Sequence, residues 1–539
     1  MKRLLPIAEI LIIIIIAIAP LFAIFPYRIN IFLSWEGAYR MYQGQVPFRD
    51  FGIPVGYMYW VIPALFFKLF GPTLFTLVKA QAFINLLAGL AFRSICGSLK
   101  IQPGVRFMAV LVFCISYCFL NYWPWYNHTV IVYELIALAF LMKFLCGAQE
   151  RKQLLWVILS GMFMFFSFFT KQDGGALGIL IAGTLLLYNA LVNKRWLPLL
   201  SFGAAVFLTG LIMILPLTRY NFGYWFNHGQ FPHTSRVSIK DILAEFMAAS
   251  QWLKFYLLII AILLAVTIRN WSAYWRNQQQ MLFTLLTLGL LAEAAIFQVT
   301  SYVPADNNIF FHSFAFVFIF SLLSTLLPAD FNKTRFLVIG TVGVMLWWSH
   351  MYWKYFDRFI FKGDGETAST TTYNGLTYSD VVNRNTYIIS MDTTDVPLSE
   401  WRVPNLRSFE KILVPGPTVD GMERLMNMDL VKNNKDLKVL NMSELTPLAA
   451  EIGYSLEASP DYPLWFHKGV GAFDKEVNMF VNRIQQHHYD LVLFEYLPYA
   501  NNFYPFKIRE ALEQHYKRID VFPATRKPSS NSWIEVYVK

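Results

Sequence analysis

Between Ser34 and Gly52 the chain places two carboxylates, Glu36 and Asp50, among a run of aromatic rings. Trp35, Ala38, Tyr39 and Tyr42 recur at helical spacing and form an apolar aromatic stripe suited to lying on a bilayer surface, while Glu36, Arg40 and Gln43 share another face. Gly44 and Pro47 end that helix and turn the chain, which brings Asp50 back near the same surface. A carboxylate held at an apolar boundary can take a proton from a hydroxyl, chemistry that suits a lipid-linked substrate. The plain alternative is structural: Glu36 pairs with Arg40 one turn on, and Asp50 caps the next helix.

Other polar groups stand where an anion or a sugar could meet them. Phe169-Thr170-Lys171-Gln172-Asp173-Gly174 is a tight turn between two apolar segments, in which Lys171 either offers charge to a ligand or pairs with Asp173 and snorkels. Arg219, followed by Tyr220, Tyr224, His228, His233 and Arg236, can hold phosphate or sugar, although each alone also reads as an interfacial residue. His312 lies just inside an apolar segment after Asp306-Asn307-Asn308, and a lone His there is more often a packing residue. The rings of Asn121 to His128 suit stacking on sugar faces or an aromatic belt. The His487-His488 pair reads as a helix cap, and the four cysteines lie in or beside apolar stretches, so no metal site is expected.

These residues need elements to position them, and composition says which. The 539-residue chain is 56% hydrophobic, 17% aromatic and only 15% charged, with a mean hydropathy of +0.42, values seldom shown by a soluble protein of this length. The bilayer is its main solvent. The net charge of +10 is spread over short loops, as when Lys and Arg face an inner leaflet, and not gathered into a nucleic-acid patch. Lys2 and Arg3 precede an apolar run that enters Phe25-Pro26-Tyr27 without a small-residue cleavage pattern, so it is read as a retained span.

Apolar segments at roughly 4–25, 73–95, 105–120, 129–146, 154–170, 175–192, 197–216, 252–268, 281–299, 309–327 and 335–350 give eleven candidate transmembrane helices. Pro54 to Phe70 is shorter and interrupted by Pro63. Treating it as interfacial puts the loops with Arg93, Lys100 and Arg106, Arg151 and Lys152, Lys194 and Arg195, Arg269 and Arg276, and Lys333 and Arg335 on the side of the N-terminus, which the positive-inside rule prefers. The fold class is then a polytopic α-helical membrane protein, N-terminus inside and C-terminus outside. Its transmembrane domain covers 1–350, with a first external loop at 26–72 and a second at 217–251, and an extracytoplasmic α/β domain covers 351–539. In that domain Leu437 to Leu440, Leu491 to Phe494, Ile519 to Phe522 and Trp533 to Val538 read as strands, and Phe473 to Gln486 and Ile508 to Tyr516 as helices.

The first loop, from an acidic residue through Gly44-Gln45-Val46-Pro47-Phe48-Arg49-Asp50-Phe51 to Leu69-Phe70-Gly71, resembles the signature of the membrane-embedded GT-C glycosyltransferases, which include protein mannosyltransferases and bacterial enzymes that add sugars to lipid A. That family carries an Asp-Glu pair after its first helix; here the first acid is replaced by Trp35 and Glu36 remains. The resemblance implies an inverting glycosyltransferase of the bacterial inner membrane. It would move a sugar from a polyprenyl-phosphate donor to a lipid, glycan or protein acceptor on the external face, with Glu36 or Asp50 as the base. For the Lys171-Gln172 turn and for His312 it further implies a place beside the donor's phosphate, and Arg219 and His228, from their place at the external side, join them as candidates to hold its phosphate or sugar. No cofactor is implied, and a divalent cation is left open. The rival readings are a lipid or sugar transporter, although no internal repeat is seen and Glu134 and Glu293 are the chief acids within helices, and a non-catalytic component of a glycan-assembly complex.

Overall fold

The computed structural model describes residues 4–27, 31–119, 121–147, 153–226, 238–248, 251–300, 310–327, 330–356, 370–373, 376–379, 396, 400–434, 436–470, 472–498, 501, 503–525 and 532–539. These fall into two compact units. One comprises Met1–Pro20, Gln81–Pro216 and Ser235–Met351; the other comprises Leu21–Ala80, Leu217–Thr234 and Tyr352–Lys539.

The first unit is helical. Each of the eleven apolar segments is a helix, because a chain in hydrocarbon must satisfy its own amides and carbonyls. Among the described residues six helices are long and apolar enough to cross a membrane, or seven if Ile239–Ala248 and Gln251–Thr267 form one span. Pro103–Cys118, Gln153–Phe168, Phe311–Leu326 and Thr334–Trp347 are shorter apolar helices of the same unit. The N-terminal helix Leu5–Ile18 buries Glu9, whose two oxygens accept from Arg93 Nε at 2.7 Å and Arg106 Nε at 2.9 Å. This three-charge corner ties the start of the chain to the basic turn at 93–106.

Pro103–Phe113 continues into a wider π-helical turn, Cys114–Cys118, that leaves backbone carbonyls without helical partners. Asn85 Nδ2 donates to two of them, Cys118 O at 3.1 Å and Asn121 O at 3.0 Å. His128, at the end of the aromatic run, is buried and stacked on Tyr117.

The second unit joins the first loop to the C-terminal region through strands. β1 (Phe25–Pro26) pairs in parallel with β5 (Ile412–Pro415), and β4 (Trp401–Arg402) pairs antiparallel on its other side. β2 (Thr370–Tyr373) and β3 (Leu376–Ser379) form a hairpin. The main sheet contains β6 (Val439–Met442), β7 (Leu491–Tyr496), β8 (Lys517–Pro523) and β9 (Trp533–Val538) in the order β6-β7-β9-β8, with β6 and β7 parallel and the other pairs antiparallel.

Helices Phe473–Gln485 and Phe506–His515 pack through Phe480, Ile484, Ile508 and Leu512 against Leu440, Val492 and Phe494 of the sheet. Each such side chain contributes roughly 1.5–3 kcal/mol of burial. All four strands and both helices anticipated from the sequence are present. Glu535, buried on β9, is held by Arg509 through two hydrogen bonds of 2.9 and 2.8 Å and by Arg518 at 3.0 Å, so its burial is compensated.

Candidate active site

Within the second unit, helix Ile31–Tyr42 packs on helix Met58–Phe70. Two indole N–H groups fix the pair: Trp60 Nε1 donates to Leu33 O at 2.8 Å, and Trp35 Nε1 to Pro72 O at 3.1 Å. A Cβ on Gly37 would come within 2.0 Å of the Trp60 ring, so only glycine allows this approach. Of the aromatic stripe read as a bilayer-facing surface, Trp35, Ala38 and Tyr39 are instead packed within the unit, and Tyr42 is exposed. Trp35 is fully buried and stacked on Tyr39 at 4.4 Å, with Phe67 beside it. Trp35 therefore serves as an anchor between helices, and Glu36 is the acid that this turn of helix presents.

Glu36 and Arg40 form the expected pair one turn apart, but both are buried. Oε1 of Glu36 meets Arg40 Nε at 2.9 Å and Nη2 at 2.8 Å. Arg40 Nη1 donates onward to Gln45 Oε1 at 2.8 Å and to Glu457 O at 2.7 Å, and the guanidinium lies over the rings of Phe51 and Tyr462. Burial pushes the Glu36 carboxyl above its ordinary range, with the charge and hydrogen bond of Arg40 opposing this. A carboxylate so placed is a stronger base than one in water.

Gly44, at φ +87°, ends the helix as the sequence indicated. Asp50 does not cap the next helix. Its Oδ2 accepts from Val46 N at 2.7 Å and closes the turn 46–50, and both oxygens contact Arg49. Burial raises its pKa, but the Arg49 and Val46 hydrogen bonds and the charges of Arg49 and Arg40 outweigh that and hold it below the usual carboxylate range. Asp50 is thus a weaker base than Glu36.

The turn is stitched to the segment 456–464 of the C-terminal region. Ser459 N donates to Asp50 O, Gly52 N to Tyr462 O and Leu464 N to Gly52 O, while Gln45 Nε2 donates to Leu456 O. Residues 217–226 close the other side. Phe222 meets Phe48 edge-on at 5.1 Å, Asn221 N donates to Phe48 O, and the Tyr224 ring lies where a Cβ of Gly52 would stand. The Tyr224 hydroxyl donates to Glu476.

A cavity of about 290 Å³ opens beside Glu36. Its polar wall is Asn441, Ser443 and Thr446, and its apolar wall includes Phe466, Phe480 and Phe503. Asp50 is not part of this lining. A buried carboxylate, anchored at one oxygen and facing hydroxyl and aromatic groups, has the equipment to deprotonate a bound alcohol.

The remaining candidates are placed as follows. Arg219 belongs to this unit and is exposed, its guanidinium 4.8 Å from the ring centre of Tyr220. Lys171, Gln172 and His312 belong to the helical unit. Lys171 Nζ lies 3.2 Å from Asp173 Oδ2 and over the Phe297 ring, Gln172 starts helix Gln172–Asn193, and Thr300 Oγ1 also donates to Asp173. His312 is buried, with Nδ1 2.7 Å from the Tyr256 hydroxyl and its ring stacked on Phe311. His228, like His233 and Arg236, lies outside the described residues. Among the described residues no group of three or more His, Cys, Asp or Glu side chains is placed to hold a metal ion.

No family model matches the sequence, and no curated protein matches it. Solved structures do. ArnT from Cupriavidus metallidurans bound to undecaprenyl phosphate aligns over 98% of this chain and 97% of its own, at 10% identity and a TM-score of 0.49. The same protein in its apo state aligns over the same shares at 11% identity and a TM-score of 0.48. An Archaeoglobus fulgidus oligosaccharyltransferase in complex with zinc and sulfate aligns over 64% of this chain and 52% of its own, at 10% identity and a TM-score of 0.40.

Proposed function

We propose that the chain is an inverting membrane glycosyltransferase that moves one sugar from a polyprenyl-phosphate carrier to a hydroxyl acceptor on the external face of a bacterial inner membrane. The observation that carries this reading is Glu36: buried, tethered by Arg40 through one oxygen, and lining a cavity of hydroxyl and aromatic groups. Glu36 takes the proton from the acceptor hydroxyl as that oxygen attacks the anomeric carbon. The polyprenyl phosphate then departs as a stable anion and needs positive charge more than a proton. Lys171, Gln172, Arg219, His228 and His312 are the groups proposed to serve it, and Asp50 orders the turn behind the base.

In this reading the protein spans the membrane eleven times, with its N-terminus inside and residues 351–539 outside as a separate domain. The Glu9–Arg93–Arg106 corner supports the shared side of the N-terminus and the first basic turn. The test incubates purified protein with a panel of polyprenyl-phosphate sugars and membrane extract, with and without a chelator to read any divalent-ion requirement. Wild type should transfer sugar and Glu36→Gln should not. Undiminished transfer by both Glu36→Gln and Asp50→Asn would remove the site assignment.

A further inference from the structure

The cavity beside Glu36 sits at a particular place in the C-terminal sheet. Asn441 and Met442 are the last residues of β6, and Ser443 and Thr446 follow directly. Phe503 and Tyr504 come from the segment that follows β7, the strand parallel to β6. The carboxyl ends of adjacent parallel strands are where α/β sheets bind small molecules, because the chain leaves the sheet there and opens a crevice.

Two further observations describe the occupant. Thr446 is 4% exposed, lines the cavity, and its Oγ1 has no hydrogen-bond partner among the described residues. Buried hydroxyls are normally satisfied, so this one is fitted to a polar group that enters the cavity. The described lining also holds one carboxylate and neither Lys nor Arg, since Arg40 is engaged behind Glu36. A phosphate beside Glu36 would be repelled without compensation, so the carrier's phosphate belongs elsewhere. The aromatic rings supply flat faces for the C–H side of a sugar, and the volume lies at the small end for ligand sites, enough for one ring.

We infer that the carboxyl ends of β6 and β7 bind one uncharged sugar ring of the acceptor, with Thr446 hydrogen-bonding a ring hydroxyl and Glu36 facing the hydroxyl that reacts. This rests on the reading of Glu36 as the base, but its test does not need transfer. The full-length protein in nanodiscs is titrated with a panel of methyl pyranosides, and binding is read by saturation-transfer NMR. Wild type should bind at least one of them. Thr446→Val should weaken binding about five- to tenfold, the loss of one neutral hydrogen bond, while Thr446→Ser retains it. Inorganic phosphate should not displace the glycoside.

Absence of binding by every glycoside, equal binding by Thr446→Val and wild type at unchanged thermal stability, or displacement by phosphate would overturn the inference. Binding through Thr446 in a protein that transfers no sugar would keep this site and remove the enzymatic reading. Transfer with an acceptor KM unmoved by Thr446→Val would do the reverse.

Discussion

Among the places where this molecule buries acidic side chains, the surroundings of Glu36 and those of Glu134 and Glu293 are built differently. Glu36 in the second unit is met by two nitrogens of Arg40 and opens on a cavity with hydroxyls in its wall. Glu134 and Glu293 in the helical unit face one another, fully buried, and among the described residues no other group donates a hydrogen bond to either. Glu134 is packed instead against Gly178, where a Cβ would come within 2.9 Å of its carboxyl carbon and of Met164 Sδ. Burial alone therefore does not mark a base. An anchored oxygen and a cavity in front of the acid separate the first case from the second.

The sharpest way to break this comparison is to neutralise the anchored acid. Glu36→Gln keeps the shape and the contact with Arg40 but cannot accept a proton, so the transfer rate should fall about 10²–10⁴-fold, the usual contribution of a general base. Asp50→Asn should fall by much less in the same radiolabelled-sugar assay. Because the Glu36 carboxyl lies above its ordinary range, kcat/KM should rise with pH through an apparent pKa above 4.5, and this rise should vanish in Glu36→Gln. A rate that tracks Asp50 and ignores Glu36 would reverse the roles.

Removing the anchor comes next. Arg40→Met leaves Glu36 buried without its cation and breaks the bonds to Gln45 and to the carbonyl of Glu457. Breaking a buried pair from one side costs roughly 3–5 kcal/mol, so thermal unfolding in detergent should shift down by several degrees. The double variant Arg40→Met, Glu36→Gln should recover part of that loss. An unshifted midpoint would mean that the pair is far better solvated than its burial indicates.

The first loop was legible in the sequence because its signals are local: the stripe, the Gly44 turn and the Glu36–Arg40 spacing lie within one short segment. The eleven helical segments and the strands β6 to β9 were legible for the same reason, since apolar runs and alternation report on their own surroundings. The wall opposite Glu36 was not. Asn441, Ser443, Thr446 and Tyr462 lie more than 400 positions away, in a stretch with no motif, and only tertiary contact brings them to the loop. Trp35 misled for a related reason. Its spacing marks an exposed stripe equally well as the inner face of a helix pair, and its bond to Pro72 O is invisible in one dimension.

A smaller effect tests how residues 217–226 are fastened to the same unit. Glu476 is buried, accepts from the Tyr224 hydroxyl and has a second oxygen that meets no donor among the described residues; burial pushes its pKa up to about 7, with Tyr224 opposing. The folded state then holds a proton that the unfolded chain releases near 4.5. Stability from this group is complete below about pH 4.5 and is lost as pH rises through about 7, roughly 3 kcal/mol over the window. Glu476→Gln, which stays neutral, should flatten the fall in unfolding temperature between pH 5 and 8. A slope that persists in the variant would assign it to another group.

The smallest effect is expected at the contrasting pair. Glu293→Gln removes one of two facing carboxyls that no cation among the described residues contacts, so nothing that positions Glu36 or shapes its cavity is lost. Transfer should stay within about threefold of wild type, and thermal stability should change little, because an amide can donate to Glu134 across the same gap. A loss of activity as large as that of Glu36→Gln would place a functional acid inside the helical bundle, as a transporter reading requires. That result would show that the absence of an anchor at Glu134 and Glu293 serves function there, and that the distinction between the two regions is one of task.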